Sequence, residues 1–334
     1  INWNPSKSLF MFILIISTLI TISSNNWLGM WMGLEINLMA FIPLISKMKD
    51  KKSSQAMMIY FLTQSIGSVL LLFSVTINSL IFTSPIMVNE LVKSLIMISI
   101  MIKVGAAPFH FWFPEMMANL NWINCILLMT WQKVAPLMIL SMTMPNNMIV
   151  YLVVIISSIV GGFGGLNQTS LRKILAYSSI SHLSWMIMFI SMNSSWYSYL
   201  IIYSIMITMI CLFLKKINAL FINQLISMSP SFMEKMTFTI SLLSMGGLPP
   251  FLGFLPKWMV IQSMIHSKLY FTMLIMMLMS LLTLFYYLRL TSSMMLMYST
   301  MNKWMKYKPP SKKLMMMMMM INLSLPVFMF IKVF

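Results

Sequence analysis

Long apolar stretches separated by short polar segments run through almost the whole chain. Many are close to the roughly 20 residues that a helix needs to cross about 30 Å of hydrocarbon. The stretches at 9–23 and 271–290 lack the alternation of apolar and polar positions that marks a barrel strand, so they predict helices. The pattern predicts an all-α polytopic membrane protein with eleven spans, at 9–24, 27–46, 56–81, 87–106 continuing brokenly to 118, 122–143, 148–165, 172–192, 196–214, 236–264 with a break, 269–291 and 313–332.

Composition supports this class, because 60% of the 334 residues are hydrophobic and 8% are charged. The formal net charge is +17, but the basic residues are sorted by side of the membrane. With eleven spans, fifteen of them fall on the side of the N-terminus and three on or near the other side. The positive-inside rule therefore places the N-terminus and the basic loops on the cytoplasm-equivalent face, where anionic lipid is a better partner than nucleic acid. The fifteen are Lys7, Lys47, Lys49, Lys51, Lys52, Arg172, Lys173, Lys215, Lys216, Lys235, Lys303, Lys306, Lys308, Lys312 and Lys313; the three are Lys93, Lys268 and Lys332.

Cysteine usage predicts neither a disulfide nor a metal site. Cys125 and Cys211 lie in separate apolar spans without a CxxC or a paired histidine spacing, so both are predicted to be small core residues. The chain also contains 44 methionines, six of them consecutive from Met315 to Met320. This usage fits an A/T-rich organellar genome whose code reads an extra codon as methionine; flexible packing is the alternative explanation.

One motif occurs twice: Pro-Phe, four further residues, then proline and an ionisable side chain. It runs from Pro108 to Glu115 and from Pro250 to Lys257, each time after small residues that include glycine. The spacing of five spans predicts, within a single membrane domain of residues 1–334, a five-helix repeat at 9–143, a second, inverted one at 148–291, and a C-terminal helix at 313–332. Proline removes a backbone donor, so each site predicts a broken helix beside a polar cavity; a kink with no ion nearby is the alternative.

Four ionisable side chains lie in or beside apolar stretches: Glu35, Lys103, Lys133 and Lys257. A charge at the bilayer centre costs roughly 2.5–3.5 kcal/mol, so such residues usually mark an ion or proton path. A glutamate near a lysine can act as a switch, because proximity holds the lysine proton and separation helps to release it. A static ion pair or a lysine that snorkels to the interface is the alternative for each position.

His182 is the fifth candidate for the proton path. It follows Ser178, Ser179 and Ser181 in a polar stripe in the middle of its span. A neutral imidazole both donates and accepts hydrogen bonds, so His182 could relay protons. A packing role with satisfied hydrogen bonds is an equal alternative.

Three segments, at 103–115, 162–182 and 246–257, together resemble the antiporter-like subunits of NADH:ubiquinone oxidoreductase (respiratory complex I). The methionine-rich composition is similar to that of insect members. The resemblance implies a proton-translocating, non-redox subunit of the membrane arm, in the mitochondrial inner membrane with the basic loops in the matrix. It also implies that this chain holds no cofactor or metal, because other subunits bind the flavin, the iron–sulfur clusters and ubiquinone. The implied partners are the other membrane-arm subunits, including neighbouring antiporter-like subunits, and phospholipids such as cardiolipin, with no nucleic acid.

The resemblance also implies roles for the buried charges. In the family, a glutamate that matches Glu35 pairs with a lysine that matches Lys103 on the first broken helix. Lys133 matches a lysine of the central hydrophilic axis, and Lys257 matches one that leads to the next subunit. Quinone reduction elsewhere would then change the coupling of Glu35 with Lys103 and drive protons through Lys133 and Lys257.

The chain departs from the family in two ways. Full-length members have fourteen spans, so this chain is expected to lack the first three. Related subunits often place a histidine or lysine near the span at 197–214, and this chain has none there.

Two other functions use the same helices. A stand-alone Mrp-type cation/proton antiporter would need no redox partner, and a structural scaffold would use the buried charges for packing alone. Finding the chain solely in a large NADH-oxidising assembly would exclude the first, and loss of pumping on changing Lys133 or Glu35 would exclude the second.

Overall fold

The computed structural model describes residues 5–46, 50–80, 85–143, 148–227, 232–296 and 312–326. Fifteen helices lie within these ranges, and the predicted all-α class is confirmed. Helices are the expected solution, because in lipid each apolar segment must satisfy its own backbone hydrogen bonds. The chain separates into two compact units, residues 1–147 and 148–334. The inverted relationship of the two units stays a prediction.

The first unit contains seven described helices. Helix α1 packs against α2, α3 packs against α4 and α5, and α7 packs against α4. The helices are α1 (Pro5–Ser23), α2 (Trp27–Ile45), α3 (Lys51–Leu80), α4 (Pro85–Val104), α5 (Trp112–Asn119), α6 (Trp122–Met129) and α7 (Trp131–Thr143).

The second unit contains eight described helices. Helix α8 packs against α9 and α14, and α12 packs against α10, α14 and α15. Close approach of α8 and α9 depends on Gly161, where a Cβ atom would lie 2.6 Å from the Ser181 backbone nitrogen. The helices are α8 (Met148–Gly164), α9 (Leu171–Ser191), α10 (Trp196–Ile217), α11 (Ile222–Ser227), α12 (Phe232–Gly246), α13 (Phe254–His266), α14 (Tyr270–Leu296) and α15 (Lys312–Asn322).

Both predicted helix breaks are present, and their backbones are alike. Helix α4 ends before Gly105 (φ 76°), and α12 ends before Gly247 (φ 81°). In each case the next N–H reaches back five residues, from Ala106 to the Met101 carbonyl (3.1 Å) and from Leu248 to the Leu243 carbonyl (3.4 Å). Glycine adopts this left-handed conformation without a Cβ penalty, so it ends each half-helix where the proline motif begins.

The C-terminal helix α15 contacts the second break. The Ser244 hydroxyl donates to Asn322 Oδ1 (2.9 Å), and the Leu252 N–H donates to the Asn322 carbonyl (3.0 Å). Asn322, 3% exposed, therefore satisfies polar groups on both sides of the break.

Seven helices among the described residues are long and apolar enough to cross a membrane. The chain is thus an integral membrane protein, and the predicted count of eleven spans is not established. The other predicted spans correspond to short, broken or partly described helices. The predicted span at 313–332 reaches past residue 326, where the described residues end.

The assignment of Lys235 to a basic loop is wrong. Lys235 is 2% exposed in the first turn of α12, beside Glu234 at 1%. A hydropathy pattern ends a span at its first charge, whereas an acid and a base can be buried when they have partners, as both of these do. Lys47, Lys49, Lys303, Lys306, Lys308 and Lys332 lie outside the described residues.

Candidate proton-carrying site

Lys103 lies in the last turn of α4 and is 6% exposed. The carbonyls at the end of a helix carry partial negative charge, which favours an ammonium group there. Helix α3 supports this turn, because Gln64 Nε2 donates to the Lys103 carbonyl (3.0 Å). Gly67 leaves room for the lysine stem: a Cβ atom at Gly67 would lie 2.8 Å from Lys103 Cγ.

Lys133 lies in the first turn of α7 and is 2% exposed. Its Nζ is 5.7 Å from the centroid of the Phe113 ring, within the range of a cation–π contact. The helix is interrupted just before it, at Thr130 between α6 and α7. Pro136 has no N–H to donate to the Gln132 carbonyl four residues earlier, so the backbone beside Lys133 is more polar than in a regular helix.

One cavity of about 20 Å³ is lined by both lysines. That volume holds about one water molecule. Two polar atoms of the lining residues, Asn37 Oδ1 and Gln132 Nε2, are buried and have no hydrogen-bond partner among the described residues. A water needs two to four polar partners, and this cavity offers an acceptor, a donor and two lysines. Its further lining residues are Leu34, Tyr60, Gln64, Val104, Trp112, Phe113, Leu128 and Pro136.

Glu35 lies in the middle of α2 and is partly exposed. Its neighbours on α2, Leu34 and Asn37, line the cavity with Lys103, and the Glu35 carboxylate lies within electrostatic range of the Lys103 ammonium. The first unit therefore brings three of the predicted site residues together: Lys103 and Lys133 share a cavity, and Glu35 acts on Lys103. A change in the Glu35 charge would alter how firmly Lys103 holds its proton.

Lys257 belongs to the second unit and lies in the first turn of α13, 6% exposed. Its Nζ donates to the Gly246 carbonyl (2.7 Å) at the end of α12, so the side chain reaches back across the break. Gly247 makes this possible, since a Cβ atom there would lie 2.9 Å from Lys257 Nζ. Lys257, like Lys103, thus occupies the negative end of a half-helix.

His182 lies in the centre of α9 and is 7% exposed. Its Nδ1 is 2.9 Å from the Tyr199 hydroxyl of α10, and its ring centroid is 5.0 Å from that of Tyr203. The imidazole therefore sits among aromatic hydroxyl groups in the second unit.

Sequence reasoning missed several polar groups that shape these sites. Arg289, late in the apolar α14, donates through Nη1 to the Leu166 carbonyl and through Nη2 to the Gln168 carbonyl (2.9 Å), which fixes the loop after α8. The sequence did carry a signal for this contact, because a single arginine in an apolar run indicates a buried polar partner. Neutral groups such as Gln64 and Gln132 give a weaker signal, because burying an uncharged amide costs less than burying a charge.

No three histidine, cysteine, aspartate or glutamate side chains come together as a metal-binding group in the part of the chain that the structure describes.

Comparison with known proteins identifies the family. Residues 24–283 match the family described as NADH:quinone oxidoreductase/Mrp antiporter, TM. The NADH-ubiquinone oxidoreductase chain 2 of Locusta migratoria is 47% identical over 276 residues, which cover 82% of this chain and 80% of that protein. The corresponding protein of Anopheles gambiae is 44% identical over 274 residues, covering 81% and 80%.

Solved structures show the same fold at low sequence identity. Respiratory complex I from Thermus thermophilus contains a chain that matches with a TM-score of 0.82 and 19% identity, covering 97% of this chain and 79% of that one. The Mrp complex from a Dietzia species matches with a TM-score of 0.76 and 16% identity, covering 85% and 59%. The fold therefore occurs in both kinds of complex and does not tell which one this chain is related to. The relatives of higher sequence identity, named NADH-ubiquinone oxidoreductase chain 2, do. This chain belongs to the NADH:quinone oxidoreductase/Mrp antiporter family, and within it to the group of relatives named NADH-ubiquinone oxidoreductase chain 2.

Proposed function

We propose that the chain is a non-redox, proton-translocating subunit in the membrane arm of respiratory complex I. The observation that carries the proposal is the shared cavity of Lys103 and Lys133, with the Glu35 carboxylate acting on Lys103. Two buried amines beside one water-sized space can pass a proton in a single short step, and a carboxylate can bias which amine holds it.

The proposed cycle starts outside this chain. Electron transfer from NADH to ubiquinone, on flavin, iron–sulfur clusters and quinone held by other subunits, changes the charge that Glu35 experiences. When the electrostatic coupling of Glu35 with Lys103 weakens, Lys103 releases its proton towards Lys133. When the coupling is strong again, Lys103 is reprotonated. Lys257 then takes part in proton transfer towards the next subunit. His182 relays protons within the second unit.

The energy for this cycle has to come from the redox reaction. Moving one charge against the membrane potential costs about 2.3 kcal/mol per 100 mV. Burial keeps the lysines from exchanging protons freely with water, so a charge change at Glu35 can control them.

The proposed location is the mitochondrial inner membrane, with the N-terminus and the basic loops in the matrix. The chain-2 names of the insect relatives and the one-sided distribution of basic residues support it. The proposed partners are neighbouring antiporter-like subunits and anionic phospholipids such as cardiolipin.

The experiment is Glu35→Gln in the assembled complex, with Glu115→Gln as the matched control, since Glu115 is exposed in α5. NADH-driven proton uptake is measured in vesicles after a native gel has confirmed assembly. We expect Glu35→Gln to reduce uptake by about tenfold or more, as for loss of a group that assists proton transfer, and Glu115→Gln to leave it unchanged. Normal uptake with Glu35→Gln would favour a scaffold instead.

A stand-alone antiporter is the second candidate, because the Mrp complex shares the fold. The same native gel tests it: the chain should migrate only with NADH-oxidising activity. A separate band with cation/proton exchange activity would support the antiporter.

A further inference from the structure

The cavity that Lys103 and Lys133 share is lined by two buried amides as well as by the lysines. Asn37 Oδ1 and Gln132 Nε2 are buried atoms with no hydrogen-bond partner in the part of the chain that the structure describes. A buried polar atom without a partner costs free energy, and native proteins leave few of them. One of these two atoms accepts and the other donates, beside a space of about 20 Å³. Both properties match a single water molecule, which accepts and donates.

Tyr60 fixes which end of the Gln132 amide is free. The Tyr60 hydroxyl donates to Gln132 Oε1 (3.2 Å), so the oxygen is occupied and the Nε2 hydrogens remain. Tyr60 is 3% exposed, and its ring packs edge-on against Phe41 with 5.1 Å between the centroids. Gln132 directly precedes Lys133 in the first turn of α7. The amide donor is therefore held next to this lysine by contacts that do not involve the lysine itself.

Asn37 supplies the acceptor from a different helix, α2, where it is 3% exposed. An amide oxygen has two lone pairs and only accepts. The cavity thus has an acceptor on α2 and a donor on α7. The other polar side chains of the lining already donate to protein groups: Tyr60 to Gln132 Oε1, Gln64 to the Lys103 carbonyl (3.0 Å) and Trp112 to the Ile102 carbonyl (3.2 Å).

We infer that Asn37 and Gln132 bind and orient one water molecule that carries the proton between Lys103 and Lys133, an inference that rests on the proposed proton-translocating function. The water donates one hydrogen to Asn37 Oδ1 and accepts one from Gln132 Nε2, which leaves it one hydrogen and one lone pair. A charged lysine can only donate, whereas a neutral lysine has a lone pair that accepts. The remaining hydrogen and lone pair therefore fit two lysines of which one is charged and one is neutral.

Proton transfer through this water balances every bond. Charged Lys103 gives a proton to the free lone pair of the water, and the water gives its free hydrogen to the lone pair of neutral Lys133. One N–H bond breaks and one forms, the water again has two O–H bonds, and one positive charge has moved from Lys103 to Lys133. The hydrogen bonds to Asn37 and Gln132 stay in place throughout, so both amides are positioning residues.

The first test is a map of the intact wild-type complex, made by electron cryo-microscopy at a resolution that shows ordered water. We expect one water peak in the cavity, within hydrogen-bond distance of both Asn37 Oδ1 and Gln132 Nε2. A cavity without water, or a water that misses either amide, would overturn the inference. This test needs no variant, so it decides the matter even where a variant does not assemble.

Asn37→Leu and Gln132→Met test the function of the water, since each removes an amide and keeps a side chain of similar volume. Asn124→Leu is the control, because Asn124 is an amide of the same unit that donates to the Leu44 carbonyl (3.3 Å) and does not line the cavity. In the two cavity variants we expect proton uptake to fall by about tenfold or more. The ratio of rates in H2O and D2O should rise with it, because proton transfer becomes rate-limiting. Both values should stay normal in the control.

Lower uptake with an unchanged isotope ratio would mean that the amides serve packing alone and would overturn the inference. Lys133→Ala, measured in parallel, separates the inference from the proposed function. If Lys133→Ala lowers uptake while Asn37→Leu and Gln132→Met pump normally, the water site is wrong and the proposed function stands. If Lys133→Ala also pumps normally, the proposed function itself is wrong.

Discussion

At the scale of single residues, Lys103 is placed by two uncharged residues of α3. Gln64 bonds to its carbonyl (3.0 Å), and Gly67 clears the path of its stem. Lys103 lies within electrostatic range of Glu35 and lines the cavity with Lys133. Its position therefore governs both its electrostatic coupling with Glu35 and proton transfer to Lys133.

Gly67→Ala should therefore weaken pumping although it replaces glycine by a better helix former. The new Cβ atom would lie 2.8 Å from Lys103 Cγ and 3.2 Å from the Ser99 carbonyl, so α3 and Lys103 have to move apart. We expect a several-fold decrease in proton uptake by the assembled complex. Gly162→Ala is the control, because its Cβ atom would meet its nearest neighbour at an ordinary 3.4 Å. Equal effects of the two changes would contradict the placement of Lys103 by Gly67.

The charged members of the site were predictable and most of their neutral partners were not. A charge in an apolar run is costly enough to stand out, which is how Glu35, Lys103 and Lys133 were found. Burying an amide such as that of Gln132 costs less than burying a charge, so its place in the lining of the cavity could not be read from the sequence. Lys235 shows the opposite error, because a buried charge with a partner looks like a loop residue in the sequence.

At the scale of helices, the two breaks combine a left-handed glycine with a lysine at the negative end of a half-helix. The arrangement differs in detail: Lys103 precedes its break, whereas Lys257 follows its own and reaches back to the Gly246 carbonyl. In both cases the lysine belongs to the turn beside the C-terminal end of a half-helix, whose partial negative charge favours an ammonium group.

Gly247→Ala should disturb the second break in two ways. A left-handed conformation costs a residue with a Cβ atom about 1–2 kcal/mol, and the new atom would lie 2.9 Å from Lys257 Nζ. We expect a lower temperature of thermal inactivation and weaker proton uptake. Gly105→Ala, where the nearest contact is a Trp112 ring carbon at 3.2 Å, should lower the temperature similarly without displacing a lysine. Normal uptake in Gly247→Ala would show that Lys257 does not need its bond to Gly246.

Asn322→Ala should loosen the contact of α15 with the same break. It removes the contact of the Ser244 hydroxyl with Asn322 Oδ1 and leaves that hydroxyl its other acceptor, the Ser241 carbonyl (2.7 Å), so the loss is that of one hydrogen bond, about 0.5–1.5 kcal/mol. The expected result is faster thermal inactivation of the assembled complex with a normal initial rate of pumping. Ser324→Ala is the control, since Ser324 follows α15 and its hydroxyl donates to the Ile321 carbonyl three residues earlier. Equal stability of the two variants would show that the Asn322 side chain does not hold α15 against the second break.

Proline and glycine made the two breaks predictable, because each leaves a backbone requirement that can be read from the sequence. The interruption at Thr130 was not predictable, since Pro136 points to a disturbance farther along. The role of Asn322 was missed as well, because it depends on which helix end meets the break.

At the scale of the whole molecule, the two compact units have different tasks in the proposed mechanism. The first contains Glu35 and the cavity shared by Lys103 and Lys133, which is the set that can respond to a charge change. The second contains Lys257 and His182, whose Nδ1 lies 2.9 Å from the Tyr199 hydroxyl. Energy from redox chemistry must enter from other subunits, so pumping should be observable only in the assembled complex.

The most direct test of the central claim is the number of protons pumped per NADH by the complex with Lys133→Ala. Lys93→Ala is the control, because Lys93 is exposed on α4. We expect Lys133→Ala to lower this number, the rate of ubiquinone reduction or both, in a complex that assembles normally, and Lys93→Ala to change neither. A normal ratio and a normal rate with Lys133→Ala would instead show that the pumped proton does not pass through the buried lysines of this chain.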